Sequence, residues 1–356
     1  MKVAFDAGPV LGAPTGVGRY VAELAHGLEG RGVTVRRYAV SLTAPRTEDI
    51  HRWRLPAAPV MQLWRRFGRP VPSSLFGDAD VVHGTNFVLP PTGGIPGVVT
   101  IHDLSFHRDD VFPGGGRLRE LVPWSLERAG AAIVPTAAVK AEVASRYDFP
   151  EERIVVTHEG VSQLFFGASP LSELALGRMG IPGRFILAVG TIEPRKNLPT
   201  LLRAWSTARE QLGDWHLVLA GPRGWGPELP ETDGVILLGY VPDETLPGLM
   251  AAADIFCYPS HYEGFGLPPL EAMAAGTACI AGAYSAADEV LGDAALLVAP
   301  SDQDGLAREL VRLATDASLR RSFALAGRAR AMAFTWERTA TLTLAAYGKA
   351  SIRTTT

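Results

Sequence analysis

Phe185-Ile-Leu-Ala-Val-Gly190-Thr-Ile-Glu193-Pro-Arg195-Lys196-Asn197 decides how this chain folds: an apolar run ends on a glycine, a short polar loop follows, and helical spacing takes over through residues 198–208. A strand that runs into a loop and then a helix is half of a crossover unit. A chain that repeats the unit builds a parallel sheet covered on both faces. Downstream the apolar runs recur at 216–221, 235–239, 255–259, 278–282 and 295–299. Upstream an independent series occupies 3–5, 33–38, 80–83, 98–102, 131–136 and 154–157. Two series in one chain predict two doubly wound α/β sheets, each of Rossmann type, facing one another across a cleft.

Length agrees, because 356 residues exceed what one hydrophobic core usually organises. The two series place a first domain at 1–165, a connection at 166–182 and a second domain at 183–335. The connection carries Gly167, Pro170, Gly180 and Pro182 and no clear strand. Trp336, Leu342, Leu344 and Tyr347 then repeat at helical spacing, predicting a terminal helix over 336–353 that reaches back to the first domain.

Composition narrows the function. Hydrophobic residues make up 47% and charged residues 20%, which excludes a disordered chain. With 34 Lys and Arg against 37 Asp and Glu, the net charge of −3 gives no global attraction for nucleic acid, so an anion site has to be local. Cys257 and Cys279 lie in apolar runs and read as buried reduced thiols, which fits a cytoplasmic protein. Asp6 interrupts the place where a leader's apolar core would fall, and no run approaches the roughly 20 apolar residues of a membrane span.

Ligands of such sheets bind at the carboxyl ends of strands, so chemistry is expected just after them. The first strand runs into Gly12-Ala-Pro-Thr-Gly16-Val-Gly18-Arg19-Tyr20 and a helix. Glycines there admit a phosphate to a helix start, or merely make a tight turn, since the third glycine of a dinucleotide fingerprint and a Walker lysine are both missing. Arg195 and Lys196 combine a planar fork with a movable point charge, which suits a diphosphate; a solvated basic turn is the plainer reading.

The densest segment is Pro259-Ser-His-Tyr-Glu263-Gly264-Phe265-Gly266-Leu267-Pro-Pro-Leu-Glu271-Ala-Met-Ala-Ala-Gly276. Tandem prolines open a helix and Gly276 closes it. One glutamate then falls on the loop and the other in the first helical turn, where they can accept from sugar hydroxyls while loop N–H groups donate. Acids that only complement the helix dipole would explain one of the two, not both with the glycines.

This Glu-Gly-Phe-Gly-Leu-Pro-Pro-Leu-Glu run resembles the signature of the retaining glycosyltransferases of family 4, which have the GT-B fold. Further motifs follow in the family's order along nearly the whole chain: Thr15-Gly-Val-Gly-Arg-Tyr20, Asp80-Val-Val-His-Gly-Thr-Asn86, Thr100-Ile-His102-Asp103-Leu-Ser105, Gly190 to Asn197, Leu238-Gly-Tyr240-Val241-Pro-Asp243 and Gly292-Asp-Ala-Ala-Leu-Leu297. The resemblance implies that Arg195 and Lys196 neutralise a donor diphosphate and that Glu271 holds the ribose. It implies that Glu263 with the backbone of Gly264, Phe265, Gly266 and Leu267 meets the transferred sugar, and that the backbone at Tyr240 and Val241 receives the base. His102 resembles the family histidine near the scissile bond, although a general base or a structural histidine also fits a strand end. Gly16 and Gly18 would face phosphate or acceptor; Asp103, Asn86 and Arg19 are acceptor-side candidates.

A departing nucleoside diphosphate builds negative charge, which Arg195, Lys196 and a helix start can stabilise without a metal. Asp78-Ala-Asp80 and Asp302-Gln-Asp304 read as turn or capping acids. Relatives often carry Arg near Gly8 and Pro where this chain has Asp288. Residues 51–70 contain five arginines with Trp53, Trp64 and Phe67 and no acid, so they form either a basic helix resting on an anionic membrane or one packed inward. The expected activity is transfer of mannose from GDP-mannose, a co-substrate and no bound cofactor, to a glycan or lipid-linked acceptor. Alternatives are a UDP-sugar donor, a GT-B epimerase or phosphorylase, and a non-catalytic sugar-nucleotide binder.

Overall fold

The computed structural model describes residues 1–12, 15–43, 49–108, 115–226 and 228–352. These form two compact units: one holds residues 1–160 with the C-terminal segment from 335, the other residues 161–334. Segment 166–182 lies inside the second unit, where Glu173–Arg178 is helical and Ser172 caps it by accepting the Ala175 N–H. Position 353 of the expected terminal helix lies outside the described residues.

In the first unit the strands are β1 (Lys2–Asp6), β2 (Thr34–Val40), β3 (Ile50–Trp53), β4 (Val81–Gly84), β5 (Gly97–Thr100), β6 (Ala131–Val134) and β7 (Ile154–Val156). They pair in parallel in the order β3-β2-β1-β4-β5-β6-β7. The winding direction reverses between β1 and β4, the position where such sheets open a crevice beyond their carboxyl ends. Alternation along β1 feeds two cores: Val3 and Phe5 pack with Tyr20, Leu24 and Leu28, whereas Ala4 packs with Phe76, Phe106 and Val122.

Trp336–Ile352 is helical and buries Trp336, Ala340 and Tyr347 in the first of these cores. Its Tyr347 hydroxyl sits 2.8 Å from His83 Nδ1, while His83 Nε2 sits 2.8 Å from Thr100 Oγ1. Burial pushes His83 down to about 3, so this ring is neutral and serves as a polar pin between helix and sheet.

The second unit repeats the plan with β8 (Phe185–Val189), β9 (His216–Ala220), β10 (Val235–Gly239), β11 (Ile255–Tyr258), β12 (Ala278–Gly282) and β13 (Leu296–Val298). Their order is β10-β9-β8-β11-β12-β13, again parallel, with the reversal between β8 and β11. Ile186 and Ala188 meet Leu201 and Trp205 of helix Leu198–Leu212 and Leu306 and Leu310 of helix Gln303–Thr315. Each leucine or isoleucine among them, taken fully out of water, contributes roughly 1.5–3 kcal/mol. Cys257 and Cys279 are buried free thiols.

Segment 51–70 is not one element. Its start is the edge strand β3, and only Ala57–Phe67 is helical, with Pro56 at the cap and Pro59 in the tolerant first turn. Val60 and Trp64 pack inward on Val88, Leu121 and Trp124. Leu63 and Phe67 remain exposed beside Arg66 and Arg69. Among the described residues no helix is long and apolar enough to cross a membrane.

Candidate functional site

Arg195 and Lys196 sit in a short 3-10 turn after β8, and Glu263 follows β11, so both segments leave the two strands that flank the reversal. The backbone ties them together, because the His261 N–H donates to the Arg195 carbonyl at 2.9 Å. Asn197 extends the tie: its Nδ2 donates to the Pro259 and Pro300 carbonyls at 3.1 and 2.8 Å, joining the loops after β11 and β13. Gly190 opens the loop at φ +148, where an added Cβ would stand 3.2 Å from Lys196 Cε; a side chain here would be strained and would crowd the lysine.

The cations are not waiting free. Lys196, 8% exposed, donates to Glu263 Oε1 at 2.8 Å and to the Tyr258 hydroxyl. Arg195 donates to Glu193 Oε1 at 2.7 and 3.0 Å, to the Tyr262 carbonyl at 3.2 Å and to Glu263 Oε2. Burial alone would raise the Glu263 carboxyl, which is 6% exposed, but the charges of Arg195 and Lys196 override it and hold it at about 2. Burial pushes the Lys196 ammonium below its usual range, Arg195 adds to this, and Glu263 opposes both. Two cations and two carboxylates are thus packed in near-dry surroundings, where each charge acts far more strongly than in water.

Gly266 caps helix Leu267–Ala274 at φ +99, and a Cβ there would fall 2.3 Å from the Tyr284 hydroxyl, so only glycine fits. Pro268 and Pro269 occupy the first turn and Gly276 follows the helix at φ +87. Glu271 is a correction: it is the fifth helical residue, in the second turn, and 3% exposed. Gly264, Phe265 and Leu267 are also buried. Past β10, Tyr240 is exposed and Val241 buried.

The first unit offers a different edge. Past β5, His102 Nε2 lies 2.9 Å from the Thr85 carbonyl, which can only accept, so Nε2 carries the proton and Nδ1 is left toward Glu159 at 3.7 Å. The ring is held edge-on between Tyr20 and Phe87. Asp103 turns back on its own chain, accepting from the Ser105 N–H and hydroxyl at 2.8 and 2.7 Å. Thr15 caps helix Gly16–Glu29 by accepting the Gly18 N–H at 3.0 Å, with Arg19 in the first turn; Ala13 and Pro14 lie outside the described residues. Asn86 follows β4, and its Oδ1 is buried with no hydrogen-bond partner among the described residues.

The acidic pairs are structural. Asp78 pairs with Lys2 and Asp80 accepts the Lys2 N–H at 2.8 Å, while Asp302 caps its helix through the Gly305 N–H at 2.7 Å. Sequence reasoning passed over Glu193, Tyr258 and Glu159, the partners of Arg195, Lys196 and His102. Glu193 had a signal, a carboxylate two residues before an arginine at a strand end; Tyr258 and Glu159 reach their partners only through the fold.

Residues 14–163 match the description "Glycosyltransferase Family 4" and residues 182–330 match "Glycosyl transferases group 1". An O-antigen chain mannosyltransferase B of Escherichia coli is 34% identical over 282 residues, covering 75% of this chain and 74% of that protein. A D-inositol 3-phosphate glycosyltransferase of Salinispora arenicola is 30% identical over 314 residues, 77% of this chain and 69% of that one. Among solved structures, a sucrose-phosphate synthase from Thermosynechococcus elongatus superposes with a TM-score of 0.76 at 21% identity, covering 98% of both chains.

Proposed function

This chain belongs to the family-4 glycosyltransferases, which have the GT-B fold, and on that premise we propose that it moves mannose from GDP-mannose, with retention of configuration, to a glycan or lipid-linked acceptor of cell-surface glycan synthesis. The observation that carries the reading is the buried network of Arg195, Lys196 and Glu263 at the carboxyl ends of β8 and β11. The name of the Escherichia coli relative supports mannose, and guanine follows as the base that activates it.

In this reading the donor diphosphate enters the network and takes over Arg195 and Lys196 as its charge grows. The donors are already aimed and desolvated, so little reorganisation is required as the bond breaks. Glu263, released from part of its pairing, accepts from a sugar hydroxyl beside the 264–267 loop. Glu271 holds the ribose, and the backbone at Tyr240 and Val241 receives the base. His102 stands beside the sugar, its ring oriented by the Thr85 carbonyl at Nε2 and by Glu159 on the Nδ1 side. The reaction as proposed needs no metal.

Thermal unfolding with GDP, UDP, ADP and dTDP, each with EDTA and again with magnesium, tests the proposal. Ligand at 100 times its dissociation constant adds about 2.7 kcal/mol. A GDP-selective rise that persists in EDTA is expected. Selectivity for UDP would replace the donor, and no shift with any nucleotide would remove the sugar-nucleotide reading. Exposed Leu63 and Phe67 beside Arg66 and Arg69 support a peripheral contact with the cytoplasmic face of an anionic membrane; cosedimentation with phosphatidylglycerol vesicles, and not with phosphatidylcholine vesicles, checks it.

A further inference from the structure

Beyond the carboxyl ends of β1, β2 and β4 the first unit holds an open pocket of about 290 Å³. Its polar lining comes from Asp6, Tyr38 and Asn86; its apolar walls include Met61 and Trp64 of helix Ala57–Phe67, with Val88 opposite. None of the catalytic roles given above uses this pocket, although it lies where the first sheet's winding reverses.

Three features specify what fits. First, Tyr38 is 2% exposed, and among the described residues its hydroxyl has no hydrogen-bond partner; neither has the buried Asn86 Oδ1. Buried polar groups are rarely left unpaired, so an orphan donor and an orphan acceptor lining one cavity point to a ligand that supplies both. Second, Asp6 accepts the Gly8 N–H at 2.9 Å through Oδ1, which leaves its second oxygen for a donor. A hydroxyl group matches this set, because it donates to Asp6 or Asn86 and accepts from Tyr38. Third, among the described residues the only charged group in the lining is a carboxylate, so an anionic ligand would be repelled and desolvated without compensation.

We infer that this pocket is a subsite for a neutral pyranose unit of the acceptor, held by Asp6, Tyr38 and Asn86 through its hydroxyls and by Met61 and Trp64 along its C–H face, and that it rejects a phosphorylated sugar. The inference rests on the transferase reading and adds the acceptor's chemical class. Apolar walls with a few convergent polar groups are the usual construction of small-molecule sites.

Saturation-transfer NMR on the full chain without nucleotide tests it, using methyl α-D-mannopyranoside and mannose 6-phosphate as probes. The neutral sugar is expected to bind and the phosphate to bind at least tenfold more weakly. Tyr38→Phe should weaken the neutral sugar about tenfold; it removes a hydroxyl with no partner among the described residues, so its melting temperature should not fall. Asp6→Asn should weaken it similarly. Unchanged binding in both variants, or equal binding of the two probes, would overturn the subsite. The GDP-induced thermal shift is read in the same samples. Loss of sugar binding with that shift intact in the variants supports the subsite, whereas an absent shift in the wild type beside intact sugar binding would remove the transferase reading alone.

Discussion

Asp6 and Glu263 are carboxylates placed beyond the carboxyl edges of two similarly wound sheets, and their surroundings drive them in opposite directions. Burial pushes Asp6 up to about 6, against one backbone hydrogen bond, whereas the cations Arg195 and Lys196 hold Glu263 at about 2. At the second unit's edge Arg195, Lys196 and Glu263 answer one another's charge, and what is left unpaired there among the described residues is neutral, the hydroxyls of Ser260 and Tyr284. At the first unit's edge Asp6, Tyr38 and Asn86 line one pocket with two polar atoms unanswered. The difference teaches that a site for a highly charged ligand has to store its charges in pairs, while a site for a neutral one can leave hydrogen-bonding capacity open, because an unpaired neutral group costs much less than an unpaired ion.

Breaking the paired edge should have the largest effects. Lys196→Ala removes a charge-stabilising donor and is expected to lower kcat/KM for transfer by about 10³-fold or more while weakening GDP binding. Turnover within a few fold of wild type would detach Lys196 from the diphosphate. Glu263→Gln should cut transfer with GDP binding largely kept, and it strands Lys196 without its anion, costing roughly 3 kcal/mol. Its sign with pH is distinctive. A carboxyl held below its usual range contributes stability above about pH 4.5 that is lost as pH falls toward 2, so the variant should lack this acid-side loss in a urea-melting series. Parallel curves for the two proteins would refute the pairing.

The open edge predicts the reverse slope. A carboxyl raised to about 6 makes the folded state bind its proton more tightly, so stability falls as pH rises from about 4 to 6. Asp6→Asn should abolish that decline, leave stability near pH 4 unchanged and raise it near pH 8 by about 3 kcal/mol. A variant less stable than wild type at pH 8 would show that Asp6 is satisfied in the folded chain, and the contrast with Glu263 would fail.

Both sheets were legible because buried parallel strands are continuous apolar runs, and every strand of the second series falls where its run predicts. The exception was β3. Ile50-His-Arg-Trp53 is an edge strand, half-exposed and half-basic, and its pairing with β2 is supplied by the fold rather than by local pattern. The glutamates, the basic pair and the glycines were legible as motifs, since loop chemistry is written in consecutive residues. What pairs with them was not. Tyr258 sits on a strand whose alternate residues look alike in sequence, and Glu159 reaches His102 across the sheet. The pocket of Asp6, Tyr38 and Asn86 joins three strand ends that lie far apart in the chain, so no spacing announces it.

The smallest effect separates the two edges by their glycines. Gly266 is fixed by the protein itself: Gly266→Ala would push a Cβ into Tyr284 from a left-handed backbone, so stability should drop by about 1–3 kcal/mol with or without ligand. Gly16 is not fixed in this way, because a Cβ there meets nothing within 4 Å. Gly16→Ala lies at a helix start and should be neutral or stabilise by about 0.5 kcal/mol through the unfolded chain. If the glycine is there because a phosphate or acceptor approaches its backbone, the same variant should lose activity while gaining stability, a pairing no folding defect produces. Activity unchanged in Gly16→Ala would remove ligand contact from this turn and leave it as a strand-to-helix connection.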